Sequence, residues 1–224
     1  MTRRFFFLTA WLACGLTAYQ TPGTHPVTGR KIAGVMGMSG ADWLTRPERE
    51  AEEQPEKALD ALKLKPGMVV ADIGAGVGYM SLRLAKRVGP TGKVYANDLQ
   101  PEMLAKLREN AAKAKIANVI TVLGDVADPK LPANTMDLVL LVDVYHEFSQ
   151  PQQMLRKIRE TLKPDGRLVL LEYRAEDPNV PINPEHKMTV AQVKTELEAE
   201  GFVLQPVIET LPRQHILILT KRAN

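Results

Sequence analysis

From residue 68 onward the chain alternates short apolar runs with amphipathic stretches. That alternation restricts the fold more than any other feature of its 224 residues. Met68-Val69-Val70-Ala71-Asp72-Ile73, Val94-Tyr95-Ala96, Val119 to Leu123, Leu138 to Val142 and Leu168 to Leu171 are each too short for a buried helix, and each reads as a strand covered on both faces. Tyr79 to Val88 carries Met80, Leu84 and Val88 at helical spacing. Pro101 opens a stretch with Met103, Leu104, Leu107, Ala111 and Ala114 on one face. Ser149 is placed to cap a third helix that buries Met154, Leu155, Ile158 and Leu162. A helix between two strands leaves room for a parallel crossover. The tail breaks this rhythm. After a helix over Val190 to Ala199, the runs Phe202 to Ile208 and His215 to Thr220 are joined only by Glu209 to Gln214, which suits an antiparallel hairpin. The pattern predicts an α/β fold with a doubly wound, mostly parallel seven-stranded sheet and an antiparallel C-terminal hairpin strand.

Ahead of the alternation lie two different segments. Arg3 and Arg4 precede an apolar run from Phe5 to Ala18 that is short for a bilayer span, the layout of a secretory signal peptide. Residues 1–18 therefore read as a signal or membrane-targeting segment, with export to the periplasm or a membrane tether as the expected address, and the cytoplasm as the alternative. Cys14, the single cysteine, excludes an intramolecular disulfide and any cysteine-based zinc site. Residues 19–47, rich in Pro and Gly, read as an irregular arm or lid. A helix is expected to start near Arg46-Pro47-Glu48 and to run to about Leu62, opening the domain proper at 48–224. With 45% hydrophobic and 25% charged residues and a net charge of +3, the chain is an ordinary globular one, and too evenly charged for a dedicated nucleic-acid binder.

In doubly wound sheets ligands bind beyond the carboxyl ends of the strands. The first strand ends Asp72-Ile73-Gly74-Ala75-Gly76-Val77-Gly78-Tyr79, a glycine-rich turn. Its glycines fall as G-x-G-x-G, whereas a dinucleotide fingerprint needs G-x-G-x-x-G, and Tyr79 takes the third place. A carboxylate at Asp72 would repel a pyrophosphate and attract a cation. The second strand ends Asn97-Asp98-Leu99, with Asp98 at about the spacing from Gly74 at which an acid takes ribose hydroxyls. The third ends Gly124-Asp125-Val126, where Asp125 is able to accept from an adenine amino group. A cationic nucleoside without phosphate is S-adenosylmethionine (SAM).

On these residues, and on Leu141-Val142-Asp143-Val144-Tyr145-His146-Glu147-Phe148 after the fourth strand, the chain resembles class I SAM-dependent methyltransferases, most clearly over residues 50–175. The resemblance implies that Asp72 and Gly74 to Gly78 hold the methionine arm, with Ala75 and Tyr79 beside them. It further implies that Asp98 with Leu99 holds the ribose, that Gly124, Asp125 and Val126 hold the adenine, and that Asp143 and His146 lie near the methyl group.

The acceptor is not named by any motif; a small molecule is expected. His146 is the first candidate for a base, with Asp143 and Tyr145 beside it. Glu172 and Arg174 end the fifth strand, His186 lies in a loop before the last helix, and Arg213 and His215 lie near the hairpin turn; all are candidates for the substrate side, together with Trp43 and Arg46 from the arm. No His/Cys cluster demands a metal, and Asp143 lacks an Asp-Asn partner for Mg²⁺. Two other readings stay open: a SAM-binding sensor or accessory protein without catalysis, and a nicotinamide-dependent oxidoreductase, against which Asp72 argues.

Overall fold

The structure, a computed structural model, describes residues 23–223. The signal-like segment and Cys14 lie outside them. Among the described residues no helix is long and apolar enough to cross a membrane.

Seven strands form one sheet: β1 Val69–Ile73, β2 Lys93–Asp98, β3 Val119–Leu123, β4 Met136–Val142, β5 Leu162–Tyr173, β6 Phe202–Leu204 and β7 Gln214–Lys221. Their order is β3-β2-β1-β4-β5-β7-β6. β7 pairs antiparallel with both β5 and β6, so it alone runs against the other six. The continuous apolar runs follow from burial on two faces. Val70, Leu138, Leu140, Val169 and Leu171 meet α2 (Pro55–Ala61) and α3 (Tyr79–Val88) on one side. Ala71, Val139, Leu141, Leu168 and Leu170 meet α5 (Pro151–Thr161) and α6 (Val190–Ala199) on the other. α4, Pro101–Lys113, packs on β2 and β3. From β1 the chain builds outward to β3 and then returns to place β4 on the other flank. The loops leaving β1 and β4 therefore diverge, which opens a crevice at their carboxyl ends.

Four expectations need correction. The helix expected up to Leu62 is two helices, α1 (Arg49–Glu53) and α2, broken at Gln54, whose φ is 49°. Pro55 has no N–H to continue the ladder and its ring disfavours the α conformation of the residue before it. Ser149 does not cap α5; Gln150 holds the cap position, without a side-chain bond. Lys163-Pro164-Asp165-Gly166 lies within β5 as an irregularity rather than ahead of it: Met136 pairs with Leu162, and Leu138 with Arg167. The strand expected up to Ile208 ends at Leu204, with Ile208 joined to Ile216 by a single bridge.

The arm is fastened to the domain. Ile32 and Ala33 are buried, Ala33 N–H donates to the His146 carbonyl at 3.1 Å, and Gln100 Nε2 donates to the Met36 carbonyl at 2.9 Å. Arg30 pairs with the buried Glu196 of α6 at 2.9 Å.

Candidate functional site

A cavity of about 380 Å³ opens at the carboxyl ends of β1, β2 and β4, where the strand order reverses. Gly74 and Gly76 form its floor, with φ of 71° and 52°. Met36, Trp43 and Leu44 of the arm cover it, and Pro181 to Asn183 with His186 close the far side. Asp98 fixes the floor: its two carboxylate oxygens accept from Gly76 N–H and Gln100 N–H, each at 2.9 Å. The glycine turn, the end of β2 and the start of α4 are thus tied to one side chain.

The lining is acidic. Glu53, Asp98, Asp125, Asp143 and Glu147 face two guanidiniums, Arg46 and Arg49. Arg49 is committed to Glu53, with Nε 2.8 Å from both carboxylate oxygens. Arg46 lies over the Trp43 ring, 3.7 Å from its centroid, and pairs with Glu52. Burial raises the pKa of Asp98. Burial also raises that of Glu147, to about 7. Asp143 is held well above the carboxylate range by burial and by the charges of Glu53 and Glu172. Its Oδ2 accepts from Gln214 Nε2 at 2.8 Å, while its Oδ1 is buried with no hydrogen-bond partner among the described residues, and its φ of 54° is rare for a residue with a side chain. Negative groups crowded out of water lower their free energy by gaining a cation.

A second wall is built of imidazoles. His146, 1% exposed, sits on a 3₁₀ turn, Tyr145–Glu147. Its Nδ1 is 2.6 Å from Glu172 Oε2 and its Nε2 is 3.0 Å from His186 Nδ1. Burial, the largest single influence, opposes a charge on His146, but Glu172 together with Glu147 and Asp143 outweighs it and raises the pKa above the ordinary value. Glu147 Oε1 lies 3.7 Å from His186 Nδ1.

Other residues singled out in the sequence are placed elsewhere. Asp72 does not line the cavity: its Oδ2 accepts from Ser81 Oγ at 2.6 Å behind the glycine turn. The side chain is held by the helix that follows the turn, so it acts on a ligand only through the turn. Tyr145 is turned away as well: its hydroxyl donates to Glu196 Oε2 at 2.8 Å and lies 3.2 Å from His25. Tyr79 donates to Glu50 on the outer side of α3. Glu172, fully buried, stands behind His146 and accepts from Tyr145 N–H at 3.0 Å. Arg174 is spent on Glu209 and on the carbonyls of Leu211 and Pro212, Arg213 on Glu52, and His215 on Glu209 and Glu176. These three build a polar cluster beside the hairpin. Asp125 reaches the cavity with its Oδ1 engaged by the N–H groups of Ala127 and Asp128 and its Oδ2 3.0 Å from Lys130 Nζ. Leu99, Val126, Trp43, Arg46 and His186 line the cavity, whereas Ala75, Gly78 and Gly124 do not. The sequence reading missed Arg49, Glu53, Asn97 and Gln100. An Arg-Glu pair four apart normally marks a solvated helix face; the break before Pro55 turns this one inward.

Asp72 gives a stability prediction with a definite sign. Burial raises its pKa from the ordinary 3.8 to about 7. Between these values the folded chain holds a proton that the unfolded chain has released, so stability falls as pH rises through the window, by up to about 4 kcal/mol for this one group. Asp72→Asn, which keeps an acceptor for Ser81, is expected to melt several degrees above the parent at pH 8 and to lose that advantage toward pH 4. Parallel melting curves at both pH values would refute the assignment.

A family model described as a methyltransferase domain matches residues 64–214. Arsenite methyltransferase of Halobacterium salinarum is 29% identical over 149 residues, covering 62% of this chain and 38% of its own. A ubiquinone/menaquinone biosynthesis C-methyltransferase of Hydrogenovibrio crunogenus is 32% identical over 117 residues, covering 52% and 46%. The chain spans less than half the length of these two relatives. Among solved structures, a SAM-dependent methyltransferase from Aquifex aeolicus superposes with a TM-score of 0.78 at 30% identity, covering 83% of this chain and 98% of that one. The chain thus belongs to the methyltransferase-domain family, with the fold of the class I SAM-dependent methyltransferases.

Proposed function

We propose that this chain methylates a small-molecule acceptor seated in the cavity against His146, Glu147 and His186, with SAM lying across the glycine turn. The observation that carries the reading is the acidic lining: Arg49 is taken up by Glu53, which leaves Asp98, Asp125, Asp143 and Glu147 as the carboxyl groups around the space, with Asp143 Oδ1 buried and unpartnered among the described residues. Such a set fits a sulfonium and an amino group, and does not fit a diphosphate. When bound, SAM supplies a methyl group already activated by the positive sulfur.

The chain's residues then have positioning work. The backbone at Gly74 and Gly76 lets a ligand approach the main chain. Asp98, anchored by two amides, retains lone pairs for ribose hydroxyls. Leu99, Asp125 and Val126 border the adenine side. The arm over the cavity excludes water, which favours an in-line displacement between aligned partners. Glu172 holds the His146 ring through Nδ1, and His146 Nε2 is shared with His186 Nδ1 at 3.0 Å, so the imidazole pair at the cavity wall, when no metal ion joins it, is the group to accept a proton from the acceptor.

The test is turnover of SAM carrying a labelled methyl group by the purified protein against a panel of hydroxyl, thiol, amine and activated-carbon acceptors. Transfer of label to one class, with release of S-adenosylhomocysteine, is the expected result. A SAM-dependent rise in melting temperature without transfer to any acceptor would favour the sensor reading, and no SAM binding at all would overturn both.

A further inference from the structure

His146 and His186 are separated by forty positions in sequence, yet the fold brings them within 3.0 Å. The contact is made by two 3₁₀ turns, Tyr145–Glu147 and Pro184–His186, which pack against each other at the cavity wall. Three atoms able to donate a lone pair converge there: His146 Nε2, His186 Nδ1 and Glu147 Oε1. Their separations are 3.0, 3.7 and 4.0 Å. The circle through three points so spaced has a radius of about 2.1 Å, within the range of about 2.0–2.2 Å for zinc bonds to imidazole nitrogen and carboxylate oxygen. One ion at that centre, or slightly above it on the cavity side, reaches all three ligands without backbone movement.

Two further features belong to metal centres. Glu172 Oε2 accepts a hydrogen bond from His146 Nδ1 at 2.6 Å, and Glu172 Oε1 is itself fixed by Tyr145 N–H. A carboxylate behind a ligating histidine selects the tautomer whose other nitrogen is free to bind, and orients the ring. His186 is likewise held, because Asn183 Oδ1 accepts from Glu185 N–H and fixes the turn that carries it. All three ligands line the cavity, so the remaining coordination positions face the space assigned to the acceptor. Two nitrogens and one oxygen, with no thiolate, suit zinc or another divalent first-row ion rather than calcium, magnesium or copper(I).

We propose that His146, Glu147 and His186 form a binding site for one divalent transition-metal ion of the zinc class. A metal ion takes the place of the proton that otherwise joins the two imidazoles. What the ion does there rests on the reading of the cavity as an acceptor site: a hydroxyl or thiol of the acceptor that reaches an open position is held in place and made more acidic. Binding itself requires neither methyl donor nor acceptor, so the two ideas fail separately.

The experiment uses untagged full-length protein, stripped with a chelator and dialysed into metal-free buffer. Zinc sulfate is titrated calorimetrically, and cobalt chloride is followed by visible absorption. One zinc per chain at micromolar affinity or tighter is expected, together with a cobalt spectrum that zinc abolishes. Glu147→Gln and His186→Ala change half-buried side chains on turns, and each is expected to weaken zinc binding by about 100-fold. Glu172→Gln, which touches no metal, is expected to weaken it by about 10-fold. Circular dichroism melting accompanies each variant. Zinc uptake far below one per chain by the parent overturns the proposal, as does unchanged affinity in both folded ligand variants. Zinc bound as expected by a protein that methylates nothing overturns the proposed function and leaves the metal site standing.

Discussion

Asp98→Ala is expected to weaken SAM binding by about 100-fold or more, measured by calorimetry with the folded variant. Two losses combine. The carboxylate is the acceptor assigned to the ribose, and a hydrogen bond to a charged partner contributes about 1.5–3 kcal/mol. The same side chain also holds the Gly76 and Gln100 amides at 2.9 Å, so its removal unfastens the floor of the cavity from the end of β2. Asp98→Asn separates the two. Its single carbonyl oxygen keeps one amide, while its NH₂ confronts the other, so an intermediate loss is expected. A dissociation constant within about threefold of the parent for Asp98→Ala would remove Asp98 from the binding site, since even one charged hydrogen bond exceeds that effect.

The second large effect concerns the turn itself. Gly74 has a φ of 71°, and a Cβ built there lies 2.5 and 2.7 Å from the two γ-methyl groups of Val144. Val144 is β-branched and cannot easily swing aside. Gly74→Ala therefore combines left-handed backbone strain with overpacking, about 2–4 kcal/mol together. It also pushes Val144, the residue between Asp143 and Tyr145, away from the cavity wall. A fall in melting temperature of roughly 4–16 °C and a loss of SAM binding are expected, on a scale of about 2–4 °C per kcal/mol for a chain of this size. Adding Val144→Ala relieves the clash and not the strain, so the double variant is expected to regain part of the stability. No recovery in the double variant would show that strain alone is responsible; a Gly74→Ala protein as stable as the parent would refute the account.

Much of the site was legible because it sits at strand ends. Once Asp72-Ile73-Gly74 and Asn97-Asp98-Leu99 are read as strand termini, a parallel sheet brings the two turns together whatever the side chains do. Gly74, Gly76, Asp98 and Asp143 could be named on that ground. Asp72 shows the limit: its position in the strand was right, but the face on which its side chain lies puts Ser81, not the cavity, within reach. Tyr145 shows it again, adjacent to His146 in sequence and bonded to Glu196 away from the cavity.

What the sequence determined by itself is periodic or local: which runs are strands, that α3 begins at Tyr79, that the last hairpin turns back, and that a glycine bend follows an acid. Local spacing fixes these because neighbouring residues share one backbone geometry. Only the tertiary structure decided that Arg49 and Glu53 turn inward, that Arg174, Arg213 and His215 are consumed by glutamates beside the hairpin, and that His146, Glu147 and His186 meet at one point. Most of those contacts join segments far apart in the chain, and their distances are set by strand order and by how the loops fold over the crevice, which no spacing of residues encodes.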